Sequence, residues 1–419
     1  MQRQEQKPTP PERPEQPTRI VAGWLLNGKG DPPQRNVVLN LHRGCILSME
    51  SVRDPQPLPP QTLDLSRCTL LPGLVDAHVH LFMSGTPDRE TRLRQLESSF
   101  KEAATGIEAR LRSHLAFGVV AVRDGGDRAG HAMRYKMERL PHSGAPIVWA
   151  AGRAWHAPGR YGRLIGRSPD ESDDLADSIE QERPRPDHIK IVNSGLNSLL
   201  SFGHQTLPQF SPQVLSKAVQ KAQALGLTTM AHANGTDAVR QSVEAGCASI
   251  EHGFFMGRET LQCMAERGTS WVPTACTMSG YARTLPAGCR EAQGAVQNLE
   301  HQIMQISQAI RMGVCVAVGT DSGSPGVHHG RAVSEELGLF MQAGMTIEQA
   351  VQCATWNGAL LLGLEDRLGC LEAGRPATFV VAKGGPESVP EGLNPPAAVF
   401  VDGVRQVDVE VPQSPSSTR

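Results

Sequence analysis

Apolar residues recur along this chain in two rhythms, and their alternation predicts its elements. Near the start, Ile20-Val21-Ala22, Val37-Val38-Leu39-Asn40-Leu41 and Cys45-Ile46-Leu47 are short runs separated by turn signals such as Gly28-Lys29-Gly30-Asp31-Pro32-Pro33. That is the pattern of β-strands joined by tight connections. Matching runs return only at the far end, in Thr378-Phe379-Val380-Val381-Ala382 and Ala397-Ala398-Val399-Phe400-Val401-Asp402-Gly403. The two ends are therefore expected to build one small β-sandwich module, from residues 18–68 and 366–411. Beyond it, the tails 1–17 and 412–419 are polar and rich in Pro or Ser, too poor in apolar surface to order themselves.

Residues 69–365 read differently. Short apolar runs alternate with longer stretches, at 214–224, 237–245, 260–267 and 295–312, whose apolar residues recur every three or four positions as on one face of a helix. Eight candidate strands end near His80, Asp124, Ala151, Asn193, His232, His252, Val272 and Asp321. Strand and helix in strict turn predict an α/β chain with a parallel sheet. A doubly wound open sheet would alternate in the same way, but no Gly-rich phosphate loop follows the first strand. A (β/α)8 TIM barrel, which needs about 250 residues, fits the span.

Composition narrows the partners. With 41 Lys plus Arg against 43 Asp plus Glu among 419 residues, the formal charge of −2 gives no broad attraction to nucleic acid or anionic membranes. A small-molecule substrate is the expectation. The nine cysteines are odd in number, scattered and without a C-x-x-C pair, as reduced thiols of a cytoplasmic protein would be. The N-terminus lacks an apolar signal-peptide region, and no stretch is long and apolar enough to cross a bilayer. Self-association into a homo-oligomer is left open.

Candidate chemistry falls at strand ends, where a barrel of this kind places function. Leu71-Pro72-Gly73-Leu74-Val75-Asp76-Ala77-His78-Val79-His80 closes strand one with two histidines on one strand face. Lys190 lies in His188-Ile189-Lys190-Ile191-Val192-Asn193. His232 ends Thr228-Thr229-Met230-Ala231-His232, His252 ends Ala248-Ser249-Ile250-Glu251-His252, and Asp321 ends Val316-Ala317-Val318-Gly319-Thr320-Asp321. Each has an ordinary reading by itself: a snorkelling lysine, a core histidine, a helix-capping histidine, a turn aspartate. Together, four imidazoles, an amine and a carboxylate make a donor set for two divalent ions, His78, His80 and Asp321 for one and His232 with His252 for the other.

The Pro72-Gly73 run ending in His78 and His80, followed in order by the other sites, resembles the first barrel strand and ligand order of the amidohydrolase superfamily of metal-dependent hydrolases. The Asp187-His188-Ile189-Lys190-Ile191 context is similar to its lysine-bearing branch, which contains dipeptidases, Xaa-Pro dipeptidases among them, and relatives of imidazolonepropionase. The resemblance implies two divalent ions, with zinc the expected metal, bridged by N6-carboxylated Lys190. A buried amine with a lowered pKa can react with carbon dioxide to give that carbamate. It further implies cleavage of a carbon-nitrogen bond, in a dipeptide or N-acyl amino acid, by a hydroxide held between the ions, with Asp321 as general acid and base. Two other readings stay in play: a cyclic-amide hydrolase resembling imidazolonepropionase, and a catalytically inactive barrel scaffold. A mononuclear deaminase is disfavoured, because Gly235 stands where such enzymes commonly carry a glutamate.

Substrate contacts are sought in the loops. Gly159-Arg160-Tyr161-Gly162 stands where relatives often have Gly-Gly-His-Gly, and Arg160 is the candidate to grip a substrate carboxylate. Tyr161, Asn193, His328 and His329 lie just beyond strands three, four and eight and are further candidates.

Overall fold

In the computed structural model, residues 18–52, 61–140, 145–170 and 174–406 are described. The expected tails, 1–17 and 412–419, lie outside them, as do residues 407–411 of the C-terminal module. Barrel strands one to three, Leu74–Val79, Val119–Asp124 and Ile147–Ala150, pair in parallel. Strands four to seven, His188–Val192, Thr228–Ala233, Ser249–His252 and Ser270–Val272, form a second parallel row. Asp187 joins the rows: its backbone N–H donates to the Ala150 carbonyl at 3.0 Å, and its carboxylate accepts the Ala150 N–H. Strands one, two and four are buried at every position. Helices outside and packed side chains inside cover both faces, so even the polar residues of these strands, Asp76, His78, Arg123, Asp124, His188 and Lys190, are buried.

The helices follow their sequence signals. Phe100–Ala116 opens on a capping box in which Ser99 and Glu102 satisfy each other's backbone donors. Pro212–Ala224 has Ser211 as its N-cap and a proline in its first turn, and buries Leu215, Ala218, Val219 and Ala222, the one-face spacing of an amphipathic helix.

The eighth barrel position is filled by residues 315–321, which form no regular ladder. Trp271 N–H donates to Cys315 O at 2.8 Å and Ala317 N–H to Trp271 O at 2.9 Å on one side. On the other, Ala77 N–H reaches Val318 O at 2.9 Å and Asp321 N–H reaches His78 O at 2.7 Å. Two donors leave the ladder: Val318 N–H goes to Cys353 O, and Thr320 N–H to the buried Asp76 carboxylate at 2.9 Å. Gly319 makes this closure tight, since a Cβ there would stand 2.3 Å from Val272 Cγ1 and 2.8 Å from His78 Cβ. Gly319→Ala is therefore expected to lower stability by about 1–3 kcal/mol through overpacking and to displace His78. A urea midpoint and bound-metal content equal to wild type would contradict this account of the closure.

Strands from both chain ends share one seven-stranded sheet, in the order Val404–Arg405, Ala398–Val401, Phe379–Lys383, Thr62–Pro72, Thr18–Leu25, Gln34–His42, Cys45–Ser51. Its core includes Ile20, Leu39, Ile46 and Leu70, with Phe379 and Phe400 stacked at 4.5 Å. The passage from module to barrel falls later than residue 68. Thr62–Pro72 stays paired with Phe379–Lys383 as far as Pro72, and the chain changes sheet at Gly73, where a Cβ would meet Val120 at 2.6 Å. Among the described residues no helix is long and apolar enough to cross a membrane.

Candidate metal centre

His78 lies within barrel strand one and His80 just past its end. Lys190 is central in strand four, His232 is in strand five, His252 ends strand six, and Asp321 closes the eighth segment. All six line one cavity of about 280 Å³ at the mouth formed by the strands' C-terminal ends. Ring centroids stand 5.5 Å apart for His78 and His80, 5.0 Å for His78 and His252, and 4.6 Å for His232 and His252. Asp321 Oδ1 is 3.6 Å from His78 Nε2 and 3.5 Å from His80 Nε2. Two ligands each about 2.1 Å from an ion at a tetrahedral angle stand about 3.4 Å apart, so this trio has the spacing one ion requires.

The tautomers follow from the outer contacts. His78 Nδ1 lies 2.8 Å from Glu251 Oε2, and Glu251 is paired in turn with Arg123 at 2.9 Å. A carboxylate only accepts, so Nδ1 carries the proton and Nε2 faces the cavity as a lone pair. His80 Nδ1 donates in the same way to Gly126 O at 3.0 Å, and His252 Nδ1 pairs with Thr274 Oγ1 at 2.7 Å. His232 is turned the other way: Nε2 donates to Gly195 O at 3.2 Å, which leaves Nδ1 for the cavity. Burial, reinforced by Lys190, pushes His80 down to about 4 and His232 to about 3. It holds His78 and His252 well below their ordinary value. All four are neutral imidazoles, the form that binds metal.

Two buried polar atoms here have no hydrogen-bond partner, His78 Nε2 and Lys190 Nζ. Lys190 is 1% exposed, and burial lowers its pKa to about 8. An unpaired ammonium at that depth would cost several kcal/mol. A carbamate formed on the amine would remove that cost, and the residues present fit divalent metal, His78, His80 and Asp321 being grouped closely enough to hold an ion. Asp321 is pushed up to about 6 by burial, and its Oδ2 accepts from Ser324 Oγ at 2.9 Å. Asp321 and His252 both have left-handed backbone, at φ 54° and 67°. Such strain in non-glycine residues is typical of functional sites.

The loop candidates divide. Tyr161 lines the cavity, its ring 5.4 Å from that of His232. Arg160 does not: it is exposed and donates to the Leu207 carbonyl, because its turn projects to solvent. Asn193 is buried outside the cavity, its Nδ2 donating to Ala238 O and Ser242 Oγ and so tying strand four to the helix Thr236–Glu244. His329 is also buried, between the Met83 carbonyl at 2.7 Å, Ser322 Oγ and His114, while His328 is exposed and outside the cavity lining. His329 and Asn193 brace their surroundings without reaching the cavity, and His328 faces solvent.

Sequence reasoning missed Glu251 and Arg123, which orient His78, and Asp76, which pins Thr320. A signal existed for Glu251: a charged residue inside a strand buried on both faces is expensive unless it is paired. It also missed Arg92 and Tyr281, which line the cavity from the helices Arg89–Leu96 and Cys276–Thr284.

A closed barrel carrying this donor set at its C-terminal mouth defines a metal-dependent barrel hydrolase. Residues 69–405 match the model of the amidohydrolase family, and the chain belongs to that family. An uncharacterised protein of Mycobacterium tuberculosis is 29% identical over 305 residues, 71% of this chain and 76% of the relative. Ochratoxinase of Aspergillus niger is 25% identical over 418 aligned positions, 88% of this chain and 82% of the relative. Among solved structures, a Xaa-Pro dipeptidase with bound methionine in the active site is similar with a TM-score of 0.79. It is 26% identical, with 93% of this chain and 100% of that one covered. The protein is a hydrolase of carbon-nitrogen bonds.

Proposed function

We propose that the protein is a binuclear amidohydrolase that cleaves the amide bond of a dipeptide or N-acyl amino acid. The observation that carries this reading is the partnerless, buried Lys190 amine lying among four neutral imidazoles and the Asp321 carboxylate. In it, His78, His80 and Asp321 would hold one ion, His232 and His252 would hold the second, and Lys190, once carboxylated, would supply an anionic ligand to both. Zinc is the proposed metal, since neutral imidazole with carboxylate suits it. Bound ions of this kind polarise a carbonyl and lower the pKa of water towards neutrality.

The chain's own residues do the rest. Asp321, a carboxyl brought near neutrality by burial, takes the proton of the attacking water and delivers it to the leaving nitrogen. Tyr161 lines the cavity beside His232, and in this reading its phenol donates to the substrate carbonyl oxygen. Glu251 and Arg123 hold the His78 ring in its tautomer. Phe82, Leu196, Phe254 and Met278 supply apolar wall that excludes water and accepts an apolar side chain. The relative crystallised with methionine supports a substrate of amino-acid size. Nine free cysteines support a reducing, cytoplasmic setting.

The test is protein purified without chelator, assayed for metal and against dipeptides, N-acyl amino acids and lactams. Two divalent ions per chain are expected, with hydrolysis of the first two substrate classes lost to a chelator and restored by zinc. Turnover of lactams alone would favour the cyclic-amide reading. Protein that carries no ion and gains no activity with zinc would refute both.

A further inference from the structure

Among the described residues, Arg92 is the one guanidinium lining the cavity. It projects from the helix Arg89–Leu96, which follows barrel strand one. Its Nη1 donates to three backbone carbonyls, Gly323 O at 2.8 Å and Ser84 O and Thr86 O at 3.3 Å each. Those bonds fix the plane of the fork. Among the described residues, Nε and Nη2 have no hydrogen-bond acceptor and no carboxylate comes within ion-pair distance of the group, although it is half-buried. A half-buried guanidinium held rigid, with two donors unused and the Asp321 charge within electrostatic reach but not hydrogen-bonded to it, is preorganised for a planar anion. The tether at Gly323 sets it beside the loop that carries Asp321 and Ser324. On the opposite side of the barrel, the wall after strands four and six is mostly apolar, with Leu196, Leu199 and Phe254 around Asn197.

We propose that Arg92 anchors the free carboxylate of the substrate, so that the preferred substrates are amino acids acylated by a bulky apolar group. The carboxylate of the leaving amino acid docks on Nε and Nη2, on the side of strands one and eight. The acyl group lies on the far side of the scissile amide, against Leu196, Leu199 and Phe254. This takes over the role that the sequence suggested for Arg160, and it rests on the amide-hydrolase reading above.

The test uses a pair of compounds, N-benzoyl-phenylalanine and its decarboxylated twin N-benzoyl-phenethylamine. Each is measured by calorimetric binding to the metal-containing enzyme and by steady-state kinetics. Wild type is expected to bind the acid about 10- to 100-fold more tightly, the range of a charge-assisted, bidentate hydrogen bond. In Arg92→Met the preference collapses towards one, carried mainly by KM, while bound metal stays at the wild-type level. Should circular dichroism show Arg92→Met unfolded, Arg92→Gln, whose amide still reaches the loop carbonyls, takes its place. Equal binding of the twins by wild type, or a preference that survives in the folded variant, overturns the proposal. Preferential binding of the acid with no hydrolysis of either twin would keep the anchor and remove the amide-hydrolase reading, so the two failures are distinguishable.

Discussion

Asp321→Asn is expected to lose turnover by about 10²- to 10⁴-fold, the usual contribution of a positioned general acid and base, while fold and most of the metal remain. The geometry separates the roles. Oδ1 faces His78 Nε2 and His80 Nε2 at 3.6 Å and 3.5 Å, and an asparagine amide oxygen can occupy that place as a weaker ligand. The two imidazoles, each fixed by its outer hydrogen bond, remain to hold the ion. Asparagine also tolerates the left-handed backbone at this position, φ 54°, better than most residues. What it cannot do is take up a proton and return it. The measurement is kcat at saturating substrate beside metal content and thermal midpoint; full turnover with normal metal would exclude Asp321 from proton transfer.

Replacing Lys190 by Ala should be at least as damaging, for a different reason. The amine is buried, has no hydrogen-bond partner, and lies where its charge depresses all four histidines. As a carbamate it would supply the anionic bridge that neutral imidazoles cannot. Without it, activity is expected to fall by about 100-fold or more, since even the outer partners of metal ligands command 10- to 100-fold, and bound metal should drop below two ions per chain. A short carboxylic acid, such as propionate, fits the volume vacated by the side chain and should restore part of both. Wild-type metal content and activity in Lys190→Ala, without added acid, would show that Lys190 bridges nothing.

The sequence by itself determined the barrel, the assembly of a β module from two distant ends, and the six side chains that meet in the cavity. These were legible because the backbone imposes a local rule. Alternation along a strand fixes the direction of each side chain, and the last residues of parallel strands all point to the same mouth. His78, His232 and His252 needed nothing more than that rule. It also placed the end of the eighth segment at Asp321, although two of its donors go to Cys353 and Asp76 in place of a neighbouring strand.

Only the tertiary structure decided what the loops do, because loops have no period from which direction can be read. Arg160 and Arg92 are both arginines near strand ends, yet one turns out to a carbonyl on the surface and the other is clamped inward by three carbonyls from two separate loops. Asn193 and His329 were close enough in sequence to suggest contact with substrate. Their hydrogen-bonding capacity is instead spent on neighbouring helix and loop, where burial left backbone and side-chain groups in need of partners. The carboxylate that orients His78 came from strand six, across the barrel. Such a pairing depends on how eight elements close around one axis, and that distance is written in no single stretch of chain.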